Sequence, residues 1–133
     1  MAGITVLDGP TIRAGESLSD SIDLVSQQGK AIAGLLIPFD MPMTYITFQL
    51  SQGLDDFRDL YSVHGGEVTI YISPGARMVF DTNWSLVSDY LKIRTGTAQF
   101  PIVQEQDRVF KTIIATDPAI RADAQPITKG GKR

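Results

Sequence analysis

Tyr45-Ile46-Thr47-Phe48-Gln49-Leu50 alternates at every step, with Ile46, Phe48 and Leu50 on one side and Tyr45, Thr47 and Gln49 on the other. Period two is the pattern of a strand with one buried face. Four more runs have the same pattern or fit it. Ser17 to Leu24 puts Leu18, Ile22 and Leu24 on one face, with Asp20 interrupting the apolar row in the manner of a sheet edge. Glu67 to Ile72 does the same with Val68, Ile70 and Ile72, and Tyr90 to Thr95 and Arg108 to Ala115 continue the series. Ala31 to Phe39 is continuously apolar and reads as a strand covered on both sides, and Met78 to Phe80 as a short one.

Turn chemistry separates these runs: Asp8-Gly9-Pro10, Ala14-Gly15-Glu16, Gln28-Gly29-Lys30, Gln52-Gly53, His64-Gly65-Gly66 and Ser73-Pro74-Gly75. Short strands with turn signals every ~8–12 residues suggest a sandwich or barrel. The expectation from these signals is an all-β antiparallel β-sandwich or barrel of about eight strands. Helix signals are thin; Thr82 to Asp89 has at most one turn behind an Asp81 or Thr82 cap.

With 133 residues there is room for one domain and its core. We place the β-sandwich domain at residues 1–116, including an extended N-terminal arm (Met1 to Ile12), and a basic C-terminal tail at 117–133. The tail loses alternation and carries four basic residues, Arg121, Lys129, Lys132 and Arg133, against Asp117 and Asp123. The ordinary reading is a flexible end. The sharper one is an arm that becomes ordered on a neighbour, with Ile120, Pro126 and Ile127 as apolar anchors and Lys129 and Arg133 as charged contacts.

The chain has no cysteine, which excludes disulfides, thiolate metal sites and cysteine nucleophiles. A net charge of −3 gives no global pull towards nucleic acid or anionic membrane. The longest apolar run, Ala31 to Pro38, is far short of the ~20 residues of a bilayer span, and the N-terminus does not read as a signal peptide.

Chemistry-bearing constellations are sparse. His64, the only histidine, sits before Gly65-Gly66 in a reading as a solvent-facing turn, and no serine lies in a nucleophile-elbow motif. Asp55, Asp56 and Asp59, with Glu67, are oxygen ligands that calcium can use, but they lack EF-hand spacing and read as a solvated acidic turn. Lys92 and Arg94 share a face with Tyr90, which suits base stacking with phosphate contacts; the ordinary reading is the solvated side of a strand. Asn83-Trp84-Ser85 matches a glycosylation sequon. No cofactor, metal or catalytic residue is expected. Tyr45 and Tyr71 lie opposite the apolar rows of their strands, and with Trp84 they are the expected interface anchors, for protein or for sugar.

The order and spacing of several segments resemble a family of short proteins from tailed bacteriophages. They are Thr11 to Ser19, Ile46 to Ser51, Phe57 to Tyr61, Gly66 to Thr69, Tyr90 to Ala98 and Gln106 to Arg108. The resemblance spans roughly residues 10 to 115. It implies a virion structural protein and not an enzyme: a jelly-roll cement, or head-decoration, protein on the capsid exterior, assembled in the bacterial cytoplasm. Its partners would be the major capsid protein and further copies of itself, as dimers or trimers. On that expectation, cutting the chain at Asp117 weakens shell attachment and spares the fold. A carbohydrate-binding module of a tail or fibre is the alternative, since jelly rolls also host sugar sites.

Overall fold

The computed structural model describes residues 3–24, 31–80 and 88–115, and among them there is no helix. Nine strands form two antiparallel sheets: β1 (Ile4–Ile12), β2 (Ile22–Asp23), β3 (Ala31–Leu36), β4 (Thr44–Ser51), β5 (Arg58–Asp59), β6 (Ile70–Ile72), β7 (Arg77–Val79), β8 (Tyr90–Thr95) and β9 (Arg108–Ala115). The first sheet runs β1-β9-β3-β7. The second runs β2-β8-β4, and β4 continues to β5 at one end and to β6 at the other.

With β5 set aside, eight strands remain, paired first-last-third-sixth and second-seventh-fourth-fifth. This is jelly-roll order, two Greek keys wrapped into a sandwich. Alternation fills the space between the layers. Phe48, Ile46, Leu91 and Ile93 from one sheet meet Phe110, Ile114, Leu35 and Ile32 from the other, all buried. The rings of Phe48 and Phe80 close the packing edge to face at 6.0 Å.

The expected N-terminal arm is extended but not free. Ile4–Ile12 is zipped onto β9 from Ile4↔Ala115 to Ile12↔Arg108, and Ile12 is fully buried in the core. The register shifts between Asp8 and Thr11, around the turn-like Gly9-Pro10. Tyr90–Thr95 and Arg108–Ala115 are strands over their whole expected runs, but three others are shorter than their sequence patterns. Of Ser17 to Leu24 only Ile22–Asp23 is a strand, joined by an isolated Leu18↔Arg94 bridge. The apolar run ends as strand at Leu36; Phe39, expected to be covered, is 89% exposed. The Thr82 to Asp89 turn falls mostly, and the 117–133 tail wholly, outside the described residues.

Gly34 shows how locally the fold constrains sequence. A Cβ there would collide with the backbone carbonyl of Met78 on the neighbouring strand. Only glycine lets β7 approach β3 this closely.

Candidate interaction surface

Tyr45 on β4 stands directly opposite Tyr71 on β6. Both side chains point away from the core and are about half exposed. Their ring centroids are 5.0 Å apart with planes at 62°, an edge-to-face pair. The expectation that both leave the apolar faces of their strands holds. The surface beside Tyr45 is kept low by Gly96, whose nitrogen donates to the Tyr45 carbonyl at 2.7 Å. Gly96 has a φ of +84°, and a side chain there would meet the Phe100 carbonyl and Ile102.

Next to this pair, the outer face of the second sheet is not solvated as the sequence suggested. The segment from Phe57 to Glu67 folds over it. Arg94 on β8 is buried beneath, and its guanidinium donates to the Glu67 carboxylate at 3.1 Å, to Thr47 Oγ1 at 3.3 Å and to the Asp59 carboxylate. Glu67 also accepts from the Ala98 backbone nitrogen at 3.1 Å, and Gln49 donates to Asp59 at 3.1 Å. The Arg94 hydrogen bond holds the Asp59 carboxyl below its ordinary value against the opposing effect of burial, with Gln49 assisting. Lys92, on the same strand face, lies 4.3 Å over the Phe57 ring.

This corrects two expectations at once. Arg94 is a buried pin, not a solvated basic residue. Asp59 and Glu67 do not belong to a solvated acidic turn; they are committed to Arg94. Asp55 and Asp56 are exposed, and Asp56 pairs with Arg58 at 3.2 Å. No group of three or more metal-ligating side chains forms among the described residues.

Arg94 thereby fixes a projecting turn. Tyr61 bridges Glu67, Ser62 accepts from Gly65 and donates its nitrogen to the Gly66 carbonyl, and the tip exposes Tyr61, Val63 and His64. His64 is where the sequence put it, on an exposed turn.

A second pin organises one end of the sandwich, where the β1–β2, β3–β4, β6–β7 and β8–β9 loops gather. Arg108, buried, donates to the Gln104 side chain at 2.8 Å and to the Asp40 carbonyl at 2.7 Å. Gln106 reaches the Asp40 carboxylate at 2.6 Å. The loops so tied display Phe39, Met43, Phe100 and Val103, each more than half exposed. Sequence reading missed this rim. The Phe100-Pro101-Ile102-Val103 run between two strands was a local apolar signal of it.

Of the expected anchors, the structure therefore brings together Tyr45 and Tyr71. Trp84, Ile120, Ile127, Lys129 and Arg133 lie outside the described residues, as does the Asn83-Trp84-Ser85 sequon. No family model and no curated protein matches the chain.

Proposed function

We propose that this chain is a virion structural protein, a jelly-roll cement or head-decoration protein that binds the outside of a phage head. There it bridges neighbouring major capsid proteins and associates with copies of itself. The resemblance of residues 10 to 115 supplies the class. The observation that carries the reading is the character of the surface. Fourteen large hydrophobic side chains are exposed among the described residues, on the sheet faces, the projecting turn, the loop rim and, at Leu54, the β4–β5 loop. Such distributed apolar surface suits extended contact with other proteins. The Arg94 ion pairs and the Arg108 hydrogen bonds tie its flanks together, which lowers the ordering cost of docking.

The sugar-binding alternative is less well served. The Tyr45 and Tyr71 planes, at 62°, do not form a common platform on which consecutive sugar rings lie flat. An edge-to-face pair instead offers a ridge of the kind that fills a protein pocket.

Quantitative mass spectrometry of purified particles against the major capsid protein tests the proposal. Many copies in a simple fixed ratio are expected. A handful of copies would move the protein to the tail or fibre, and absence from particles would overturn a virion role.

A further inference from the structure

Among the described residues the first sheet ends in two edges, β1 and β7, and they are complementary. Register runs straight across it: Val6↔Ile113↔Gly34↔Val79 on one row and Asp8↔Lys111↔Leu36↔Arg77 on the next, both on the outer face. Each row thus carries one residue on each edge, valine with valine and aspartate with arginine. Val6 is 45% and Val79 76% exposed. The Asp8 side chain is 89% exposed, with Lys111 no closer than 3.8 Å. Among the described residues Arg77 makes no ion pair. On the inner face, Leu7 and Met78 are both partly buried against the core.

Backbone phase matches as well. Phe80 donates to the Ala33 carbonyl and Ile37 to that of Ala76, so Arg77 and Val79 turn their backbone groups to the free edge. The same alternation carried across β3 and β9 leaves Ile4, Val6 and Asp8 facing outward on β1. Strand directions alternate across the sheet, so β1 of a second copy laid beside β7 runs antiparallel to it.

We infer that copies of this chain join head to tail by sheet extension, β7 of one copy taking β1 of the next, with Val79 opposite Val6, Met78 opposite Leu7 and Arg77 opposite Asp8. This register pairs free backbone groups with free backbone groups, about four hydrogen bonds, sets valine on valine and aligns opposite charges. A slip of two residues in either direction loses the charge pair. Each copy uses two different edges, so the contact is heterologous: it builds a ring where the rotation between copies closes and a filament where it does not, and not a face-to-face pair. Among the expected oligomers it selects the trimer. The inference rests on the self-associating part of the proposed function and not on capsid binding.

Because the chain has no cysteine, engineered thiols report this contact without background. Hydrogen-bonded antiparallel partners lie ~5.5 Å apart at Cα, within disulfide reach. Purified full-length Val6→Cys and Val79→Cys proteins, each checked for native circular dichroism, are mixed under mild oxidation. A covalent dimer as the dominant product, lost when Arg77→Glu is added to the Val79→Cys protein, is expected. Val109→Cys in place of Val6→Cys leaves monomer. No dimer in the mixture, or Val6→Cys linking to itself as readily, overturns the inference; the latter outcome would mean β1–β1 pairing. Particle copy number reads out separately. Abundant protein on particles without the cross-link removes edge pairing alone, and the cross-link without particle association removes the cement reading alone.

Discussion

Arg94 decides the outer face of the second sheet. It neutralises Asp59 and Glu67 and ties β4, β8 and the covering segment into one unit. Removing one partner of a buried pair strands the other charge, which costs about 3–5 kcal/mol. Arg94→Met is therefore expected to lower stability by that order in urea denaturation, and Arg94→Met with Glu67→Gln to recover part of the loss. The Asp59 carboxyl, held low in the folded chain by Arg94, titrates at a higher value once unfolded. Its contribution is fully present above its unfolded pKa of about 3.9. It is lost as pH falls from there through the lower folded value. Denaturation midpoints measured between neutral and strongly acidic pH should show this decline in the wild type and a shallower one in Arg94→Met. The tyrosine pair was legible in the sequence because strand alternation alone sends Tyr45 and Tyr71 outward. Arg94 was not. Alternation identifies its face, but the cover comes from residues 27 and 35 positions away in the chain.

At the level of single elements, β3 and β7 meet through Gly34. Gly34→Ala places a methyl group against the Met78 carbonyl. The backbone must shift, at a cost on the order of 1–3 kcal/mol, read as a lowered denaturation midpoint. The same shift displaces the β7 edge and should reduce the Val6–Val79 cross-link. The central strands β4, β8 and β9 were legible because one face of each is apolar and the other mixed. β1 was not recognised as a strand because Asp8-Gly9-Pro10 carries turn chemistry. The chain absorbs that interruption as a register shift and continues to Ile12. β5, two residues long, has no period to detect.

Over the whole molecule, strand number and class were legible from turn spacing, whereas the jelly-roll order was expected from the resemblance alone. Order depends on which distant segments pair, and a single sequence carries no record of that. The pairing of β9 with both β1 and β3 is the feature with the widest reach. A chain ending after Ala115 retains every strand of the described residues and should melt as one cooperative unit, whereas a chain ending before Arg108 leaves β1 and β3 without their common neighbour and should not. Circular dichroism melts of the two truncations compare them directly. The same pairing has a consequence in time. Residue 4 meets residue 115, so β1 has no strand partner until β9 has been made. Completion of this domain waits for the synthesis of β9, and refolding from denaturant is expected in the milliseconds-to-seconds range of strongly non-local β topologies. Until then β1 waits as an unpaired strand, open to pairing with another copy, a hazard that grows with the rate of expression.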